Sequence, residues 1–290
     1  MRLGQEPATG TLKSAHAPTC PVPELPEVET IRRGLERELV GRRVEAAEAC
    51  GGPLRSPSPL PLGRLAGRRF AAARRHAKFL LLDLDRGVLV VHLGMTGKLL
   101  FAAQGGPRRA HTHLVLRLDD GRELRYVDPR RFGMLRLYRD ARDVEEARHY
   151  GIDALDPALD DAVLGALLQR SRAPLKAFLL DQTKVAGLGN IYACEALWRA
   201  GLSPRRLARN TPASRVPALR GAIVGVLHDS LAQGGTSFND YVDHIGQPGR
   251  FLLDLAVFQR DGGACRRCDA DVRRIVQSGR STFFCPGCQR

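Results

Sequence analysis

Apolar residues at Val28, Ile31, Leu35 and Leu39 recur every three to four positions, which predicts a helix with one buried face that stops near Gly41. Pro26 suits its first turn, and Glu27 and Glu29 suit its positive end. A Pro/Gly/Ser-rich stretch, 51–63, reads as a loop. The pattern then shortens. Phe79–Asp85, Val88–Leu93, His113–Asp119, Glu123–Asp128 and Met134–Tyr138 are β-branched or alternating runs, set apart by Asp85-Arg86-Gly87 and Asp119-Asp120-Gly121 turns. Strands of this length and spacing predict an antiparallel sandwich. Around 140–157 the chain turns charged and then helical, which places a linker there. Asp160–Arg170, Leu175–Asp181, Asn190–Ala200 and Pro212–Ala232 carry helical spacing. In the last of these, Leu219, Ile223, Val226, Leu227 and Leu231 share a side. Gly201 and Gly234-Gly235 are plausible stops. From Val257 onward the chain is short-stranded and rich in cysteine. The expected fold is therefore α+β: an extension over 1–22, a helix-plus-sandwich domain over 23–150, a helical domain over 151–256 and a cysteine-rich hairpin unit over 257–290.

A chain of 290 residues, 43% apolar, can bury two cores. Runs such as Val88–Val91 are too short to span a bilayer, and 1–22 has no apolar core of a secretion signal. The expectation is a cytoplasmic, nucleoid-associated protein with no membrane partner. Net charge is +14 with a pI near 10.2, which favours a polyanionic partner. Of 45 basic residues only Lys13, Lys78, Lys98, Lys176 and Lys184 are lysines. Codon bias exchanges lysine for arginine but creates no net charge. A lysine retained in such a chain invites a role that arginine cannot fill, since it is a compact donor able to lose its proton.

Cys265-x2-Cys268 and Cys285-x2-Cys288 form two knuckles that can complete a tetrahedron for one structural Zn²⁺. Two disulfides or a redox pair are the competing readings; the absence of a secretion signal argues against the former. Cys20, Cys50 and Cys194 are left over, Cys194 as a core residue.

The most informative segment is Pro23-Glu24-Leu25-Pro26-Glu27-Val28-Glu29-Thr30. Inside a chain, the proline nitrogen is a tertiary amide without nucleophilic character. At a free N-terminus it is a secondary amine that can form a Schiff base. The segment resembles the N-terminus of the formamidopyrimidine-DNA glycosylases, bacterial base-excision enzymes for oxidised purines, and the resemblance extends from Pro23 to Arg290. It implies that Pro23 attacks C1′ of the damaged nucleotide, that Glu24 is the adjacent general acid/base, and that Glu27 orients the site. It implies a phosphate-contacting, elimination-assisting role for Lys78 in Arg74-Arg75-His76-Ala77-Lys78-Phe79. Met95 in His92-Leu93-Gly94-Met95-Thr96-Gly97 and Arg130 with Phe132 in Asp128-Pro129-Arg130-Arg131-Phe132-Gly133 are implied to enter the duplex where a base is flipped out. His111 and His113 are implied near the DNA backbone. Lys184-Val185-Ala186-Gly187-Leu188-Gly189-Asn190 is implied to be the turn of a helix–two-turn–helix. There Asn190 serves as N-cap and the loop amides meet a phosphate. Arg172 and Lys176 are implied DNA contacts, and Arg280 a catalytic arginine on the zinc-finger hairpin. Thr236–Arg250 is long enough for a base-capping loop. The partner implied is damaged double-stranded DNA, bound by a monomer.

Two features keep alternatives open. Endonuclease VIII shares the fold and prefers oxidised pyrimidines; Leu25 and the Arg130/Phe132 loop fit the purine enzyme better. Second, 22 residues precede Pro23, and a protein that keeps them would bind DNA without cutting it. Val22 immediately before Pro23 suggests that translation starts there on a valine-type codon, so that loss of the initiator residue exposes Pro23.

Overall fold

In the computed structural model, residues 22–290 are described except 55–56, 146–147 and 238–240. The expectation of a tail over 1–22 thus falls, apart from Val22, outside the described residues. Helix α1 spans Leu25–Glu38. Val28, Ile31, Leu35 and Leu39 are all buried, as their spacing requires, against the inner face of a sandwich.

That sandwich consists of two four-stranded antiparallel sheets. One has the order β1 (Val44–Ala49), β6 (Thr112–Leu118), β7 (Arg122–Val127), β5 (Lys98–Ala103). The other runs β2 (Phe70–His76), β3 (Phe79–Leu84), β4 (Val88–His92), β8 (Met134–Tyr138). Leu80, Leu82, Leu89, Val91, Leu114, Leu116, Leu124 and Tyr126 fill the space between. Phe79, Leu81, Val88 and Val90 point the other way into a second cluster closed by Tyr138, Val144 and Tyr150. Burial on both faces explains why β3 opens with four consecutive apolar residues, Phe79 to Leu82. Three strands went unread in the sequence: β1, β2 and β5. The first two, VEAAEA and FAAARRH, are built on alanine and charge, with little intrinsic strand preference, and pairing to β6 and β3 holds them extended.

The second half contains α2 (Asp161–Gln169), α3 (Leu175–Leu180), α4 (Asn190–Ala200) and α5 (Val216–Ala232), with a parallel two-residue pair β9 (Ile152–Asp153) and β10 (Val185–Ala186). The predicted face of α5 is buried at Leu219, Ile223, Val226, Leu227 and Leu231. Gly201 ends α4 with a left-handed residue, φ 63°. The C-terminal hairpin pairs β11 (Arg273–Gln277) with β12 (Arg280–Phe284). Its Val272, Phe283, Cys265 and Cys285 belong to the same core as α2–α5, so the hairpin unit has no separate core. Cys194 lies in this core too. Among the described residues no helix is long and apolar enough to cross a membrane.

Candidate active site

The N-terminal motif is the clasp between the two halves. Leu25 begins α1 yet packs in the helical core, and its N–H donates to Gly187 O at 3.1 Å. Pro23 is thereby held buried at the junction, with Val22 lining the adjoining cleft. Glu24 reaches the first turn of α4, where its carboxylate accepts from the Ile191 N–H at 2.9 Å and the Tyr192 N–H at 3.5 Å. These amides carry the positive end of the helix. A Cβ at Gly189 would sit 2.2 Å from Glu24 Cδ, so only glycine admits this approach. The Ile191 and Tyr192 amides of the first turn of α4 are thus occupied by Glu24, and one expectation changes here. Asn190 is the first helical residue rather than the N-cap, which is Gly189. Asn190 instead faces the cleft, and its Nδ2 donates to Ser281 O at 3.0 Å.

Burial raises the Glu24 carboxyl above its ordinary value, against the opposing pull of Lys78 and the α4 amides. Glu27 lies one turn deeper. It accepts from Glu24 N (2.8 Å), Tyr192 OH (2.5 Å) and Thr236 N (2.8 Å), joining α1, α4 and the segment after α5. Burial pushes it to about 7, aided by the charge of Glu24. Tyr192, which sequence reasoning passed over, also contacts the Ser230 and Thr236 hydroxyls. Nothing about an isolated helical tyrosine marks it in advance.

Lys78 sits in the tight turn joining β2 and β3, beside Ala77 with φ 53°. The turn is pinned from outside: Asp153 accepts from Ala77 N at 3.0 Å and pairs with Arg75, which also reaches Glu29 at 3.1 Å. Burial lowers the Lys78 ammonium, and Arg280 lowers it further, while Glu24 and Glu27 oppose. Arg280 projects from the hairpin turn at Ser278-Gly279, whose positive φ values (49° and 71°) fit a two-residue β-turn. Glu24, Lys78, Asn190, Met95, Phe132 and Arg280 all line one cleft of about 560 Å³, along with His92, Tyr150 and Gln182.

The two loops expected to enter DNA meet at the cleft rim. Phe132 is 43% exposed with the Arg130 guanidinium 4.9 Å over its ring, and Met95 is half-buried. Gly94 (φ 61°) lets the loops touch backbone to backbone; a Cβ there would lie 2.4 Å from the Phe132 carbonyl carbon. Asp128, fully buried, accepts from Thr96 Oγ1 (2.5 Å) and Gly133 N (2.8 Å) and so holds both loops. His111 is exposed beside them, its carbonyl accepting from Asp128 N. His113 departs from expectation. It is buried, its ring nitrogens against Gly52 O (3.1 Å) and Asp128 O (3.0 Å), which makes it a brace rather than a surface contact. Lys176 departs likewise: fully buried, it donates to Ser281 O (2.9 Å) and Thr282 Oγ1 (2.7 Å) and ties α3 to β12 behind Arg280. Arg172 is exposed on the turn between α2 and α3 and is not among the cleft-lining residues. Within Thr236–Arg250, residues 238–240 lie outside the described residues. Thr236 bridges Arg250, and His244 packs on α1 against Glu38 at 2.9 Å.

Cys265, Cys268, Cys285 and Cys288 place their sulfurs within 4.8 Å of one another. The Cys265–Cys288 and Cys268–Cys285 pairs stand at 3.8 and 3.4 Å, far beyond a disulfide bond and close to the edge of about 3.8 Å that four Zn–S bonds of ~2.3 Å define. The cluster fits one tetrahedral zinc ion. With all four positions taken by thiolates, the ion is structural.

Family models agree with this arrangement. The formamidopyrimidine-DNA glycosylase N-terminal domain matches residues 22–135, the H2TH domain of the same enzymes matches 150–242, and the zinc finger found in FPG and IleRS matches 262–290. A formamidopyrimidine-DNA glycosylase of Paracoccus denitrificans is 45% identical over 93% of this chain and all of its own length. Solved structures include a Lactococcus lactis FPG mutant bound to DNA containing Fapy-dG and MutM bound to DNA containing carbocyclic 8-oxo-G. Each is 32% identical, with a TM-score of 0.84, over 92% of this chain and the whole of the other. The chain belongs to the formamidopyrimidine-DNA glycosylase family.

Proposed function

We propose that this protein is a base-excision enzyme, a bifunctional DNA glycosylase and AP lyase that acts as a monomer on oxidised purines such as 8-oxoguanine and formamidopyrimidines in duplex DNA. The Pro23 nitrogen, once terminal, attacks C1′ as the C1′–base bond breaks and the base leaves with a proton; the C1′–O4′ bond then opens with a proton to O4′, and the resulting iminium undergoes β- and then δ-elimination, which cuts the strand on both sides of the sugar. Glu24 is the acid/base partner, its carboxyl favoured as the acid by burial. Lys78 and Arg280 hold the flanking phosphates at the cleft, which Asn190 also lines. Met95, Arg130 and Phe132 fill the space left by the extruded base. His111 and Arg172 are assigned to the outer DNA backbone. The helix-plus-sandwich half (23–150) and the helical half (151–256) with its zinc hairpin close on the duplex from two sides.

The observation that carries this reading is the convergence of Glu24, Lys78 and Arg280 at one cleft, with Val22 and Glu24 lining it on either side of the buried Pro23, although 256 residues separate Glu24 from Arg280. The family match beginning at residue 22 supports Pro23 as the working terminus. In the full-length chain Pro23 is acylated by Val22 and cannot attack. Release of 8-oxoguanine and of thymine glycol from otherwise identical duplexes, with a chain begun at Pro23, tests the assignment. Faster release of 8-oxoguanine is expected; preference for thymine glycol would move the protein to the endonuclease VIII type.

A further inference from the structure

The end of the sandwich opposite the cleft gathers arginines that nothing in the proposed reaction uses. Lys78 and His92 stand at one end of β2–β4, and Arg69 and Arg86 at the other, about 20 Å away at ~3.3 Å per residue. Four turns meet at this far pole. Val44 N donates to Arg68 O (2.8 Å), Phe70 N to Arg42 O (3.0 Å), Asp85 N to Arg69 O (2.8 Å) and Asp119 N to Arg43 O (3.0 Å). This ladder brings together Arg42, Arg43, Arg64, Arg68, Arg69 and Arg86, all exposed except the half-buried Arg68.

Three carboxylates stand among these six guanidiniums, Asp85 and Asp119 on the ladder itself and Asp120 beside Arg42, and they leave an excess of positive charge. Arg42 shares Asp120 with Arg122, and among the described residues none of the other five pairs with a carboxylate. Arg68 and Arg69 are instead fixed by main-chain carbonyls, Arg68 by those of Arg64 and Arg86 and Arg69 by that of Gly41. Such bonds set the guanidinium in place and leave its charge intact. The exposed large apolar residues, Phe132, Ile245, Leu252, Leu253 and Val276, all lie elsewhere. A protein interface needs an apolar or aromatic anchor at its centre, and among the described residues this face has no exposed large apolar side chain. A phosphate backbone needs only spaced, fixed positive charge.

We propose that this pole is a second duplex-binding face, contacting phosphates without regard to sequence, so that one molecule can hold a lesion duplex in its cleft and touch a second DNA segment behind it. The protein, zinc-loaded, is saturated with a short duplex carrying an abasic-site analogue and titrated with a dye-labelled undamaged duplex. The comparison is with R43Q/R64Q/R86Q, whose three side chains make no hydrogen bond or ion pair among the described residues and should leave the melting temperature unchanged. Wild type should form a complex with both duplexes. The variant should bind the second one roughly tenfold more weakly at 0.1 M salt, with the log–log salt slope reduced by about 2.7, or ~0.9 for each lost phosphate contact. Equal binding and slopes in the two proteins, or no second duplex on wild type, would overturn the proposal. So would displacement of the second duplex by poly-glutamate at lower charge concentration than by DNA, which would assign the face to an acidic protein. If the lesion duplex does not bind first, the cleft reading fails, and the salt slopes for undamaged duplex alone still decide the role of the pole.

Discussion

Glu27 shows how one buried carboxyl can make stability depend on pH. Its value rises from 4.5 to about 7 because folding removes it from water and sets it near Glu24. The folded protein holds this proton more tightly than the unfolded chain. The stabilisation is therefore complete below pH 4.5 and is lost as pH rises through 7, a swing of about 3 kcal/mol at ~1.4 kcal/mol per unit. Glu27→Gln cannot titrate. Denaturant titrations at pH 5 and pH 8 should show the stability difference between variant and wild type moving by about 2–3 kcal/mol in favour of the variant; a pH-independent difference would contradict the assignment. Gly189→Ala probes the neighbouring contact. Its methyl must displace Glu24 from the α4 amides, because its Cβ falls 2.2 Å from Glu24 Cδ. The expected result is a loss of about 1–3 kcal/mol in stability from overpacking. Excision should fall at least tenfold in single-turnover assays, and unchanged excision would show that Glu24 need not sit there.

Among the elements, the two rim loops depend on a single buried acceptor. Asp128→Ala removes the partner of Thr96 Oγ1 and Gly133 N together. Bonds to a charged group are worth about 1.5–3 kcal/mol. Affinity for a lesion duplex should weaken about tenfold or more in fluorescence titrations, while binding of undamaged single strands should change little. Much of this architecture was legible in the sequence, because α1, α5 and the strands β3, β4, β6, β7 and β8 carry the periodicity that burial imposes. The alanine-rich β1 and β2 were hidden because tertiary pairing, not propensity, makes them strands. The site was legible where chemistry demands rare residue types: the cysteine pairs, Lys78 as one of only five lysines, and the Pro-Glu motif. Supporting contacts were not. Asp153 under the Lys78 turn, Tyr192 on Glu27 and the diversion of Lys176 and His113 into the interior follow from chain crossings that no local spacing records.

Across the full chain, cleft and zinc hairpin form one mechanical unit. Lys176 and Asn190 both bind Ser281, one residue past Arg280, and the hairpin shares the helical core. Removing zinc should therefore release Arg280 and also lower the melting temperature of the helical half. Metal analysis should find one zinc per chain, and after chelation lesion-duplex binding should be lost with a melting shift visible by circular dichroism. Retained binding without zinc would separate the hairpin from the site. The central claim concerns the Pro23 nitrogen, and borohydride trapping on an 8-oxoguanine duplex tests it most directly. A chain begun at Pro23 should yield a covalent adduct whose peptide map ends at that residue, and a chain retaining residues 1–22 should yield none. An adduct from the long chain, or one mapping to Lys78 or any other side chain, would contradict the account.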